Sequence, residues 1–115
     1  MLQYKQEFGE GFDLGFELRD FPFLEDKSWK DEACPSFMLK SGDRYLVLWV
    51  DYPNKEEREN TITSRYSIVT ATNLGSAHEP EIYHDEHSFT LFETEEPESL
   101  ALYLSNLSIE PFYPV

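Results

Sequence analysis

The stretch that decides the fold is RYLVLWVDY, residues 44–52. Successive side chains of a strand point to opposite faces of the sheet. Both alternating sets are apolar here: Tyr45, Val47 and Trp49 lie on one face, and Leu46, Leu48 and Val50 on the other. This pattern predicts a central strand with both faces covered. The preceding SFMLK, residues 36–40, is joined to it by a short Ser-Gly-Asp segment, which predicts a β-hairpin.

Period-two alternation of apolar and polar residues continues on both sides of this hairpin. The alternation predicts a second hairpin over residues 2–19, a strand over residues 61–72 with Ile62, Tyr66 and Ile68 on one face, and two short strands over residues 81–84 and 87–94.

The C-terminal stretch TEEPESLALYLSNL, residues 94–107, changes to helical spacing. Its apolar stripe consists of Leu100, Tyr103, Leu104 and Leu107. Thr94 is the expected N-cap, and Pro97 is tolerated in the first turn. Because such a stripe needs a sheet to lie on, the helix is predicted to cover one face of residues 45–50.

Together these elements predict an α+β fold, with a single antiparallel β-sheet of about five to six strands and a C-terminal helix packed on one face. One domain is expected over residues 1–115. One helix leaves part of a sheet face open. Residues 20–35, which show neither period, are expected to cover the open part unless a second copy of the chain does.

The net charge of −14 is unevenly distributed. Residues 1–65 contain nine basic and fourteen acidic side chains, a net charge of −5, whereas residues 66–115 contain nine acidic side chains and no Lys or Arg, a net charge of −9. Such a field repels phosphates and anionic membranes and attracts basic proteins. The charge therefore predicts neither a nucleic-acid nor a membrane partner. Solubility alone is the favoured explanation for it, with a basic protein partner as the alternative.

Several features place the chain in a reducing compartment. Cys34 is the one cysteine, so no internal disulfide forms, and its acidic neighbours argue against a thiolate nucleophile.

The start of the chain lacks the pattern of a secretory signal, and the longest apolar run, residues 45–50, is too short to span a membrane. We expect a soluble cytoplasmic protein. No phosphate-binding loop, nucleophile elbow or zinc motif is present, so no cofactor is predicted.

Residues 83–89, YHDEHSF, hold two of the three histidines. On one continuous strand His84 and His87 point to opposite faces. In a hairpin whose loop is Asp85-Glu86 they face each other, with Cβ atoms about 5 Å apart. Zinc then requires at least one further protein ligand. Since Asp-Glu is a poor two-residue loop, we interpret the stretch as a polar turn at a hairpin tip, with His84 and His87 as metal ligands in the alternative.

Two functions follow from these observations. The first is a non-enzymatic interaction module that binds a basic protein partner or self-associates as a homodimer through its sheet. Tryptophan is frequent at interface hot spots, and acids complement a basic surface. The candidate binding residues are Trp29, Asp31, Glu32, Asp85 and Glu86. The second is a metal-dependent or hydrolytic enzyme with a site around His84, His87 and nearby carboxylates, and the sequence does not decide whether the protein is an enzyme.

Overall fold

A computed structural model describes residues 2–76 and 78–109 and has a six-stranded antiparallel sheet at its centre. The strands are β1 (Glu25–Asp26), β2 (Ser36–Ser41), β3 (Arg44–Val50), β4 (Tyr66–Asn73), β5 (Ile82–Tyr83) and β6 (Thr90–Thr94). The helices are α1 (Gln3–Phe8) and α2 (Pro97–Ser105), with short 3-10 helices at Leu18–Asp20 and Lys55–Glu57. Strands β1 to β4 are neighbours in that order, and both β5 and β6 pair with β4. The predicted α+β class, with one antiparallel sheet and a C-terminal helix, is confirmed.

The predicted central hairpin is also confirmed. Strands β2 and β3 pair along their whole length, from Ser36 opposite Trp49 to Ser41 opposite Arg44. Gly42 forms the turn with φ at 60°, a left-handed backbone conformation that glycine adopts at little cost. Strand β3 also pairs with β4, so it lies between two neighbours as predicted.

Helix α2 packs on one face of the sheet together with residues 4–24, and we call this face the helix face. Leu46, Leu48 and Val50 of β3 are fully buried there, in the same cluster as Leu100 and Leu104 of α2. The predicted helical stripe is therefore correct. The helix begins after Glu96 rather than Thr94 and has nine residues. None of the helices in the described residues is long and apolar enough to cross a membrane.

The prediction of a hairpin over residues 2–19 is wrong. Residues 3–8 form α1, which ends at Gly9, and the following segment packs on the helix face without strand pairing. Leu14 is buried, and its carbonyl oxygen accepts a hydrogen bond of 2.6 Å from the Tyr66 hydroxyl. A Cβ atom at Gly15 would collide with that hydroxyl. The alternating apolar side chains are used for tertiary packing, which outweighs their strand pattern.

Residues 20–35 are divided between the two faces. Phe21, Phe23 and Leu24 are half-buried against the core of the helix face. Strand β1 then pairs with β2 at the sheet edge, and residues 27–34 continue beside the opposite face. We call that second face the open face, and neither α1 nor α2 packs on it. Strand β4 begins at Tyr66, and Ile62, expected to face the core, is instead 87% exposed.

We expect Leu104→Ala to lower the free energy of unfolding by about 2–5 kcal/mol, because the Leu104 side chain is buried between α2 and the sheet and its removal leaves a cavity. Chemical denaturation measures the loss. Leu102→Ala, on the exposed side of the same helix, is the matched control and should change stability by no more than about 0.5 kcal/mol. Equal losses in the two variants would show that α2 does not dock through Leu104.

Candidate functional site

A cleft of about 470 Å³ opens on the open face, at the end of the sheet where β3 finishes and β4 begins. Its floor contains Trp49 and Val69. Trp49 lies opposite Ser36 on one side and Ser67 on the other, so a large ring stands between two small side chains. The walls rise from two loop segments, residues 32–34 and residues 59–63, which contribute Glu32, Ala33, Cys34, Glu59, Asn60 and Thr63.

A smaller lobe of about 210 Å³ continues from this cleft toward β5. The two lobes share Glu32, Trp49 and Val69, and together we call them the sheet cleft. The smaller lobe adds Lys27, Val47, Ile82, Tyr83 and His84. The open face is therefore only partly covered, in contrast to the prediction for the central strand.

The larger lobe is negatively charged. Glu32, Asp51 and Glu59 line it, and none of the described residues around it is Lys or Arg. Lys27 lies in the smaller lobe, where its Nζ is 5.1 Å from the centre of the Trp49 ring and 3.9 Å from a Glu32 carboxylate oxygen. A cation therefore already occupies one part of the Trp49 surface, whereas the larger lobe has carboxylates with no basic side chain of its own.

Asp51 is the buried carboxylate of the larger lobe, with 4% of its surface exposed. Its Oδ1 accepts a hydrogen bond of 2.9 Å from the Tyr52 amide, and its own amide donates to the Arg65 carbonyl at 2.7 Å. Burial raises the pKa of Asp51, while the Tyr52 amide and the charge of Arg58 act in the opposite direction. A cation bound in the cleft would stabilise the ionised form of this carboxylate.

Cys34 is buried and lines the larger lobe together with Asp51. Burial, followed by the charges of Asp51 and Glu32, raises the pKa of the Cys34 thiol to about 12. The group is therefore protonated at neutral pH and unreactive as a thiolate. Cys34 is a free, buried cysteine.

Arg58 holds the wall that carries Glu59, Asn60 and Thr63. Its guanidinium donates to the carbonyl oxygens of Tyr52 and Thr63 at 2.7 and 2.5 Å, and to both carboxylate oxygens of Glu95 at 2.9 Å. The Arg58 side chain is fully buried. Glu95 also accepts from the Arg65 amide at 2.7 Å. This network ties both ends of the loop between β3 and β4 to the chain just before α2.

Exposed apolar side chains stand on the segments that border the cleft. Trp29 is 51% exposed and belongs to the wall between Lys27 and Glu32; Ile62 and Tyr83 are also more than half exposed. Of the binding residues predicted from the sequence, Glu32 lines the sheet cleft. Trp29 and Asp31 belong to the same chain segment, but their side chains do not line the cleft.

The other two predicted binding residues lie in a turn between β5 and β6. Asp85 accepts hydrogen bonds from the Thr72 hydroxyl at 2.5 Å and from the His87 amide at 2.9 Å, and the Thr72 bond is the main reason why the pKa of Asp85 is lowered. Glu86 is exposed and lies 3.5 Å from His87 Nε2. Asp85 therefore stabilises the turn.

The expected hairpin around Asp85-Glu86 is wrong. Strands β5 and β6 both pair with β4, at successive positions along it, and form no ladder with each other. His84 and His87 are consequently not an opposed cross-strand pair. Among the described residues, no group of three His, Cys, Asp or Glu side chains is arranged to hold a metal ion. The two-histidine metal site stays a prediction.

Sequence reasoning missed three residues of the cleft: Trp49, Asp51 and Glu59. Trp49 belongs to an apolar run, so it was expected to be covered. Its exposure depends on the small side chains opposite it, and these are known only once the strand register is known. The position of Asp51 directly after a buried strand was the signal that the sequence offered.

Comparison of the chain with protein-family models, with curated proteins and with solved structures finds no match.

We expect added zinc to shift the melting temperature little at neutral pH, because His84 and His87 have no third ligand grouped with them among the described residues. Thermal denaturation with and without zinc measures this. A large zinc-dependent rise that His84→Ala abolishes would contradict the turn interpretation and favour a metal site.

We expect Glu95→Gln to lower the free energy of unfolding at pH 7 by about 1–2 kcal/mol, since Arg58 loses a charged partner and the Glu95 side chain is 39% exposed. The Arg58 hydrogen bond lowers the pKa of Glu95 below its ordinary value of 4.5. The stability that the ion pair contributes is thus present above the unfolded pKa and is lost as the pH falls through the folded pKa.

Urea denaturation between pH 3 and pH 7 should show a weaker pH dependence for Glu95→Gln than for the wild type, in the range below about 4.5. Glu98→Gln, an exposed position on α2, is the control and should follow the wild type. Identical pH profiles for the wild type and Glu95→Gln would mean that the ion pair with Arg58 does not contribute to stability.

Proposed function

We propose that the protein is a binding module for a basic protein partner, and that a Lys or Arg side chain of the partner enters the larger lobe of the sheet cleft. The observation that carries this proposal is the set of three carboxylates, Glu32, Asp51 and Glu59, that line the larger lobe beside Trp49. No Lys or Arg is among the described residues that line this lobe, and of the three carboxylates Glu32 also contacts Lys27 of the smaller lobe. A cationic side chain is the group that this lining complements.

The chemistry of the floor supports a cation with a long apolar stem. Trp49 and Val69 offer apolar surface to the methylene groups, and the carboxylates at the walls accept hydrogen bonds from the charged end. Lys27 already places its ammonium group over the Trp49 ring in the neighbouring lobe. The partner's side chain would use the same ring from the larger lobe.

The rim of the cleft has the composition of a protein interface rather than of a small-molecule site alone. Trp29, Ile62 and Tyr83 are large apolar side chains that are more than half exposed, on three different segments around the cleft. Aromatic residues are enriched in interfaces, and apolar contacts around a central charge exclude water from it. The net charge of −14 would also accelerate encounter with a basic partner.

A second copy of the chain is the competing occupant of the open face. In a symmetric dimer the same patch meets itself, so two larger lobes would bring their carboxylates together. Like charges brought together in this way oppose association. The charge of the cleft therefore favours a basic partner over a homodimer at this face.

We expect short arginine- and lysine-containing peptides to change the Trp49 fluorescence of a Trp29→Phe variant, in which Trp49 is the one remaining tryptophan. Matched peptides with citrulline or norleucine should bind at least about tenfold more weakly, because they lack the charge. Binding should weaken as sodium chloride is added. Fluorescence titration gives the dissociation constants.

The double variant Asp51→Asn/Glu59→Gln should lose about tenfold in affinity. Asn at position 51 keeps the acceptor for the Tyr52 amide and removes a charge whose burial is unfavourable, so the fold should be retained. The charge-matched control is Glu10→Gln/Glu98→Gln, two exposed acids that do not line the sheet cleft, and it should change the affinity less than about twofold.

Equal losses in both double variants would show that only the global charge attracts the peptides and that the sheet cleft is not the site. Light scattering of the wild type alone at micromolar concentration tests the competing occupant. A stable dimer in which an added quencher no longer reaches Trp49 would show that a second copy of the chain, and not a basic partner, occupies the open face.

A further inference from the structure

A second cleft, of about 340 Å³, lies beside the start of the loop between β3 and β4. Asp51 lines the sheet cleft, whereas Tyr52, the next residue, lines this second cleft. Its other lining residues are Phe8, Gly11, Phe12, Asp13, Pro53 and Glu57. None of these residues lines the sheet cleft. We call this second site the aromatic cleft.

Three half-buried aromatic rings form the apolar part of the aromatic cleft. The ring centroids of Phe12 and Tyr52 are 4.9 Å apart with the planes inclined by 57°. The centroids of Phe8 and Phe12 are 6.2 Å apart with an inclination of 62°. The three rings thus contact one another and together form an aromatic wall of the cleft. A cation that lies against the face of such a ring is attracted by the ring quadrupole.

Two carboxylates supply the charge. Asp13 and Glu57 line the aromatic cleft, and no Lys or Arg is among the described residues that do so. Glu57 is exposed, and its charge is one of the causes that raise the pKa of Tyr52, after burial of the phenol. The Glu57 carboxylate therefore acts on the same space as the Tyr52 ring.

Both carboxylate oxygens of Asp13 already have partners within the protein. Asp13 Oδ1 accepts a bond of 2.8 Å from the Gly15 amide, and its Oδ2 lies 3.7 Å from the Arg65 guanidinium. A primary ammonium has three N–H donors that need acceptors when it leaves water. A quaternary ammonium has none, so it loses less when aromatic rings replace its hydration.

We propose that the aromatic cleft binds an organic cation through its quaternary ammonium group. The methyl groups contact Phe8, Phe12 and Tyr52, and the charge is balanced by Asp13 and Glu57 across the cleft. Two sources share this chemistry: a free small molecule of the choline type, and the trimethylated lysine side chain of a protein.

Isothermal titration and chemical-shift mapping of the full chain with three probes test the proposal. The probes are choline, N-acetyl-trimethyllysine amide, and 3,3-dimethylbutanol, in which a carbon atom replaces the nitrogen of choline. At least one of the two cations should bind about tenfold more tightly than dimethylbutanol, with shifts at Phe8, Phe12 and Tyr52. Binding of choline but not of the trimethyllysine probe would identify a free small molecule as the source of the cation. Binding of the trimethyllysine probe but not of choline would identify a protein side chain. Either result supports the proposed site.

Two variants separate the rings from the charge. Tyr52→Leu keeps apolar volume and removes a ring, and it should weaken cation binding about tenfold. Glu57→Gln alters an exposed residue, so the fold should be kept, and it should weaken binding about threefold. Phe89→Leu and Glu98→Gln remove an exposed ring and an exposed charge elsewhere, and should leave the affinity unchanged.

Equal affinities for choline and dimethylbutanol would reduce the site to an apolar cleft and overturn the proposal. So would cation binding that neither Tyr52→Leu nor Glu57→Gln alters, or the absence of binding by both cations up to about 10 mM. Peptide binding at the sheet cleft, followed by Trp49 fluorescence, should be unaffected by Glu57→Gln, so the two sites can fail separately.

Discussion

The register of β3 between its two neighbours is the constraint on which the rest of the structure depends. Side chains alternate along a strand, so a shift of one residue would exchange every side chain between the two faces. The observed register places Leu46, Leu48 and Val50 on the helix face, where they are fully buried in one cluster with residues of α2 and of the N-terminal segment. It places Trp49 on the open face, opposite two serines, and thereby creates the floor of the sheet cleft.

A second constraint acts at the end of the sheet, where the loops meet. The buried Arg58 guanidinium joins the loop between β3 and β4 to Glu95, a residue 37 positions later in the chain. A buried charge of this kind is tolerated because its donors are satisfied by carbonyl oxygens and a bidentate carboxylate. The network fixes the wall that carries Glu59, so the polar interactions that stabilise the loop also position the cleft.

The loop that leaves β3 separates the two clefts. Asp51 lines a cleft rich in carboxylates, and Tyr52 lines one rich in aromatic rings. Burial of Asp51 disfavours its charge. Part of the acidic composition thus lies at the two clefts.

The sequence by itself determined the features that depend on neighbours in the chain: the β2–β3 hairpin around Gly42, and the apolar stripe of α2, whose periods of two and 3.6 residues are local. Its charge also made Glu32 a candidate binding residue, and the structure places Glu32 in the sheet cleft. Only the tertiary structure decided that the alternating residues 2–19 pack as a helix and an extended segment, and that β5 and β6 pair with β4 instead of each other. Both clefts likewise depend on strand register and on contacts between distant residues, which no local pattern encodes.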